Sequence, residues 1–201
     1  MAGEAPASGG CAASAPASSV EAEPGMMSVQ ARSTLESASA RAQSFLSQVK
    51  QSRHERSASG TGPTFVGFHV RRTDYGAHVK KLFHGDLPGV SFFKRAMAYY
   101  REKFAGGVAF IAASDSPRFI RATLSHNPDV YFAPGGSPVL DLAVLVSCNH
   151  SIITLGSFGF WSGFLAGGEV VYPDTRFRRP YRFARWMYEA AHLDNFTPLP
   201  A

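Results

Sequence analysis

The run GFHVRRTDYGAHVKK, Gly67–Lys81, sets His69, Arg71, Arg72 and Asp74 directly after a hydrophobic stretch. A guanidinium can fork two parallel N–H donors onto a phosphate, a charge-assisted contact worth about 1.5–3 kcal/mol net. Adjacent side chains of an extended chain point to opposite faces, so Arg71 and Arg72 share a task only if the strand has ended. One can grip an anion while the other pairs with Asp74 and holds the loop. The alternative is a surface ion pair of under about 1 kcal/mol. Two further clusters have the same character: Ser114-Asp115-Ser116 after VAFIAA, and Gly156-Ser157-Phe158-Gly159 after SIITL. Small residues opening a helix let backbone N–H groups approach phosphate oxygens, where the helix dipole favours negative charge. The same residues also serve a tight strand-to-helix turn. Neither the G-x-x-x-x-G-K-[ST] nor the G-x-G-x-x-G spacing is present. Asp141 stands in the first turn of an apolar helix. It acts there either as a helix-dipole partner or as a carboxylate accepting the paired N1–H and amino donors of a guanine. His69 and His150 do not read as metal ligands, and Asn149 and His150 read as structural.

The elements that must carry these groups alternate. Leu35, Ala38, Ala42, Phe45, Leu46 and Val49 recur at helical spacing, and Gln51–Pro63 is a polar connection. Strands are expected at Thr64–Val70, Val108–Ser114, Val130–Ala133, Ser151–Gly156 and, last, Glu169–Pro173. A long polar loop follows the first strand. Helices are expected at Val90–Phe104, from Ser116-Pro117 to about Leu124, over Val139–Cys148, and after Ser157. This order predicts an α/β fold, a doubly wound, mostly parallel, Rossmann-like sheet, over residues 63–196. Residues 33–62 form an amphipathic helix and linker, and residues 1–32 a disordered, low-complexity segment. Ligands of such sheets bind beyond the carboxyl ends of the strands, where all three polar clusters fall.

Composition narrows the class further. The 201 residues are 45% hydrophobic with 16 Phe, enough for one packed domain. A net charge of +5 is compatible with anionic partners without naming one. Two cysteines, Cys11 and Cys148, give neither a disulfide framework nor a zinc spacing. No apolar run approaches the ~20 residues of a membrane helix, and no signal peptide is read. The stretch RFRRPYRFAR, Arg176–Arg185, mixes aromatics with arginines; it fits RNA or anionic lipid, or simply a solvated surface segment. The sequons begin at Asn149 and Asn195, of which only the second is expected to be exposed.

VGFHVRRTDY, then FIAASD, then DLAVLVSCNHSIITLGSFGFWSGFLAGGEVVYP together resemble the three motifs of the galactoside α-1,2-fucosyltransferases, the family 11 glycosyltransferases. The likeness covers about Ala40 to Pro173; the third motif is long and specific, whereas H-x-R-R-x-D is shared with other GDP-fucose enzymes. The resemblance implies the donor-binding half of a GT-B-type enzyme that moves L-fucose from GDP-fucose to the 2-hydroxyl of a terminal galactose with inversion. It implies no metal and no cofactor beyond that donor, a galactose-terminated glycan as acceptor, and no nucleic-acid partner. Arg71 would hold the diphosphate with Arg72 in support. His69 and Asp141 would meet the guanine and ribose, Ser157, Phe158 and Gly159 would form the phosphate turn, and Ser114 and Asp115 would line the cleft. The acceptor proton needs a base, for which Asp74 is the candidate, with a structural pairing to Arg72 as the alternative. Thr73 stands where members often carry Gly. The family's membrane anchor and Golgi location would follow, although no anchor is read in this chain. The alternative is a shortened, inactive GDP-sugar-binding remnant.

Overall fold

In the computed structural model, which describes residues 28–54, 62–104 and 106–201, β1 (Thr64–Val70) lies at the centre of the sheet. The expected disordered segment falls almost entirely outside the described residues, as does Cys11. Strand β1 pairs in parallel with β2 (Val108–Ser114) on one side, from Thr64 opposite Val108 to Val70 opposite Ser114. On the other side it pairs with β4 (His150–Ile153), His69 facing Ile153. With β3 (Val130–Phe132), β5 (Val170–Asp174) and β6 (Phe196–Pro200), the sheet has six parallel strands in the order β3-β2-β1-β4-β5-β6. That is the doubly wound order, and its direction reverses between β1 and β4, where a crevice opens at the carboxyl edge.

Strand alternation sorts the core into two layers. Val66, Phe68 and Val70 of β1 and Val108, Phe110 and Ala112 of β2 face helices α3 (Val90–Lys103) and α4 (Pro117–Leu124), meeting Phe92, Phe93, Met97, Ile120 and Leu124. Ala109, Ile111 and Ala113 point the other way, onto α1 (Val29–His54) and α5 (Pro138–Val146). Each such large side chain, fully buried, contributes about 1.5–3 kcal/mol. Helix α1 turns Ala38, Ala42, Leu46 and Val49 of the expected stripe inward but leaves Leu35 exposed, and it extends past Gln51 into the predicted connection. The remaining helices are α2 (Tyr75–Phe83), α6 (Ser157–Ala166) and α7 (Arg185–Ala190). None of the described helices is long and apolar enough to cross a membrane.

Two expectations are corrected. The stretch after β1 is not a long polar loop: four residues lead into α2, whose Val79 is fully buried against Leu155 and Tyr181. Nor is β5 the last strand. β6 adds Phe196–Pro200 at the sheet edge, where Pro198 and Pro200 are tolerated because one side of the strand needs no partner. Both sequon asparagines are exposed, contrary to the expectation for Asn149. Each side chain is also bonded: Asn149 Oδ1 accepts from the Phe65 N–H at 2.9 Å, and Asn195 Nδ2 donates to the Gly168 carbonyl at 2.7 Å. The structural reading of His150 also fits, since its Nδ1 accepts from the Glu169 N–H at 3.0 Å.

Candidate nucleotide-sugar site

A cavity of about 380 Å³ occupies the crevice between the ends of β1 and β4, within the range of small-ligand pockets. His69, Arg71, Ser114, Asp115, Asp141, Ser157 and Phe158 all line it, as do Tyr75, Pro138, Leu155 and Gly156. Of the predicted site residues, Arg72, Asp74 and Gly159 stand outside the lining.

Arg71 leaves the strand at its first non-ladder position. Its backbone N–H donates to Thr154 Oγ1 at 2.8 Å, joining the ends of β1 and β4. Its guanidinium meets Asp74 Oδ1 through Nη2 at 2.7 Å and Asp115 Oδ2 through Nη1 at 2.9 Å, and lies 5.7 Å from the Tyr75 ring centre. The Asp74 contact uses one of the five N–H donors of the guanidinium, and the Asp115 contact is an ion pair. Arg72 does something else. Its guanidinium packs 3.8 Å over the Phe119 ring of α4, away from the cavity. Asp74 pairs with Arg71 rather than Arg72, at variance with a division in which the anion-gripping arginine stays free of it.

Asp115 is the knot of the site. Its carboxylate accepts from the backbone N–H groups of Arg72 at 2.9 Å and Thr73 at 3.2 Å, and from the Thr73 hydroxyl at 2.6 Å, besides pairing with Arg71. These bonds clamp the loop after β1 to the end of β2. Ser114 Oγ accepts from the Ser116 N–H at 2.9 Å, and Ser116 stands at the N-cap of α4 without a side-chain capping bond. The Thr73 hydroxyl also lies 3.0 Å from Asp74 Oδ1. Asp74 itself is exposed, and the Thr73 hydrogen bond, aided by the Arg71 charge, holds its carboxyl below the usual range.

The opposite wall is aromatic. His69 is 5% exposed, and its ring centre sits 4.8 Å from that of Phe158. Burial lowers its pKa to about 4, against the pull of Asp115 and with the help of Arg71, so the imidazole is neutral at pH 7. Its Nδ1 has no hydrogen-bond partner among the described residues. Gly159 is glycine for a visible reason: a Cβ there would lie 3.0 Å from His69 Nδ1 and 3.4 Å from Ile153 Cβ. Gly156 precedes α6 with φ of +102°, a left-handed conformation that side chains rarely adopt, and it faces the Tyr75 ring. The turn thereby presents the N-terminus of α6 to the cavity.

Asp141 stands in the first turn of α5, where a helix-dipole role remains open to it, but it is not the cap. Ser137 already caps α5, its Oγ accepting from the Leu140 N–H at 3.2 Å. Asp141 Oδ1 is buried with no partner among the described residues, and burial raises its pKa. A buried carboxylate oxygen without a donor is costly unless something binds it. Tyr75 escaped the sequence reading because α2 did, and Leu155 and Pro138 carry no chemical signal that spacing could reveal.

With this geometry in view, the relatives are informative. Residues 38–194 match the model of glycosyl transferase family 11. The mouse galactoside 2-alpha-L-fucosyltransferase Sec1 is 34% identical over 154 residues, covering 71% of this chain and 40% of that protein. The galactoside alpha-(1,2)-fucosyltransferase 1 of Saimiri sciureus is 34% identical over 174 residues, covering 79% of this chain and 46% of its own length. The chain therefore belongs to glycosyl transferase family 11, and it spans less than half the length of these relatives. Among solved structures it is similar to fucosyltransferase NodZ from Bradyrhizobium, with TM-score 0.39 and 19% identity over 67% of this chain and 42% of that one. A NodZ alpha-1,6-fucosyltransferase soaked with GDP-fucose gives TM-score 0.38 and 16% identity over 69% and 49%.

Proposed function

We propose that the cavity binds GDP-fucose and that the chain is the donor half of a galactoside α-1,2-fucosyltransferase acting with inversion. One observation carries this reading: Arg71, the Gly156–Phe158 turn that opens α6 and Asp141 all line one cavity at the switch point of the sheet. Asp141 accepts the N1–H and amino group of guanine, Arg71 and the backbone of the 156–158 turn hold the diphosphate, and His69 and Phe158 form the wall between them. As the C1–O bond to the diphosphate breaks, negative charge builds on the departing GDP, where preorganised N–H donors stabilise it. The sugar becomes oxocarbenium-like, and the galactose 2-hydroxyl attacks from the opposite face, inverting the anomeric centre.

The hydroxyl proton needs an acceptor. Asp74 is ionised at neutral pH and stands in the chain beside Tyr75, so it takes this role in addition to bracing Arg71. By the same family reasoning the acceptor is a galactose-terminated glycan and the setting is the Golgi membrane. The test is incubation of the purified chain with GDP-fucose and lactose, with the product read by mass spectrometry and NMR. A new α-1,2-linked fucose on galactose supports the reading. GDP binding without transfer leaves a donor-binding module, and absence of both rejects the site.

A further inference from the structure

Tyr75 opens α2 one residue after Asp74 and lines the donor cavity, half-buried. Its Oη is 3.3 Å from the point where a Cβ would stand on Gly156, so the hydroxyl end of the ring lies against the turn that opens α6. The Arg71 guanidinium lies 5.7 Å from the centre of the same ring. In the first turn of α6, the backbone N–H groups of Ser157 and Phe158 have no acceptor among the described residues. The Tyr75 hydroxyl therefore stands among the groups assigned to the diphosphate.

A second tyrosine sets the direction of its proton. Tyr75 Oη and Tyr181 Oη are 2.9 Å apart, and by distance alone either could be the donor. Burial decides. Tyr181 is 3% exposed and packs with Val79, Leu155, Phe83 and Phe177. Among the described residues, the Tyr75 oxygen is the one acceptor that its hydroxyl reaches. A buried O–H that donates to nothing is costly, so Tyr181 donates and Tyr75 accepts. Desolvation also raises the Tyr181 pKa, which keeps that proton in place at neutral pH. The Tyr75 O–H is then left for whatever fills the cavity.

We propose that Tyr75 contacts the nucleoside diphosphate directly, donating its hydroxyl to a non-bridging phosphate oxygen, and that Tyr181 is the positioning residue that orients it. The inference rests on the donor reading above. The contact is a hydrogen bond, and no proton changes hands. It strengthens as negative charge builds on the departing diphosphate. The arginine-rich stretch Arg176–Arg185 thereby has a role besides its charge, since it delivers Tyr181 to the Tyr75 side of the donor cavity.

Calorimetry on the full chain with GDP and with guanosine tests both residues. Tyr75→Phe keeps the ring and loses the hydroxyl; it weakens GDP binding by about fivefold or more and leaves guanosine affinity within about twofold. Tyr181→Phe lets the Tyr75 proton turn away and gives a smaller loss of the same kind, roughly twofold to fivefold. In the double variant the loss equals that of Tyr75→Phe alone, because Tyr181 acts only through the Tyr75 hydroxyl. GDP affinity unchanged in Tyr75→Phe, or lost equally for guanosine, overturns the contact. Losses that add in the double variant overturn the orienting role. Tyr75→Phe carries the test by itself should Tyr181→Phe not fold. Absence of GDP binding to the parent contradicts the donor reading, and Tyr75 is then judged on inorganic pyrophosphate titrated into the same proteins. Pyrophosphate binding that Tyr75→Phe weakens supports the contact; equal binding, or none, overturns it.

Discussion

Arg71 is useful because other residues hold it still. Asp74 accepts a hydrogen bond from its guanidinium and Asp115 pairs with it by charge, Asp115 doing so while tied to the backbone of the loop that carries the arginine. The bracing of Arg71 by Asp74 and the proton-accepting role proposed for it are separable, and Asp74→Asn separates them. If it takes the acceptor proton, the variant loses a hundredfold or more in kcat while GDP affinity falls less than tenfold. A fall in kcat no larger than the fall in GDP affinity assigns it to bracing alone. His69 predicts a pH effect on folding. The unfolded side chain titrates near 6.5 and the buried one near 4, so both states are neutral above pH 6.5 and the burial is uncharged. As pH falls from 6.5 toward 4 the unfolded chain takes the proton first, and the fold loses about 3 kcal/mol. Urea unfolding of His69→Asn across that window has a shallower pH slope than the parent; equal slopes contradict a neutral, buried His69. At this scale the sequence was most legible where polar groups break an apolar run: most of the predicted site residues reach one cavity. The division of labour between Arg71 and Arg72 was not legible, because it depends on Phe119, a residue of α4 brought up by the fold.

Turns and short helices set the accuracy of the site. Gly159→Ala pushes a methyl against His69 Nδ1 and Ile153, both held in the packed wall, and overpacking of that kind costs roughly 1–3 kcal/mol. A thermal melt of the variant shows that loss together with weaker GDP binding, because His69 and Phe158 share the wall. An unchanged melting temperature would mean that the wall yields more readily than its packing implies. The strands β1 and β2 were readable to the residue because VAFIAAS and TFVGFHV are continuous apolar runs between polar ends, the signature of strands buried on both faces. Helix α2 was hidden by Gly76, His78, Lys80 and Lys81, which mask an apolar set that packs only once Leu155 and Tyr181 are in place. β6 was hidden by its prolines, which argue against a strand except at an edge.

Taken whole, the molecule is a parallel sheet whose reversal point between β1 and β4 creates the crevice, with helices on both faces keeping it rigid. Fold class was legible because strand and helix alternate along the chain and parallel strands require crossovers. Strand order was not, since it is decided by packing across the sheet. Asp141, Arg71 and Ser157, the groups assigned to the donor, line one cavity at this edge. The central claim is that this edge grips a nucleoside diphosphate through Arg71, and titration calorimetry of GDP into the parent chain and Arg71→Ala tests it. Loss of a charge-assisted pair worth about 1.5–3 kcal/mol predicts GDP affinity weaker by roughly tenfold to a hundredfold. Equal GDP affinity in the two proteins, with the variant folded, would contradict the phosphate grip assigned to Arg71.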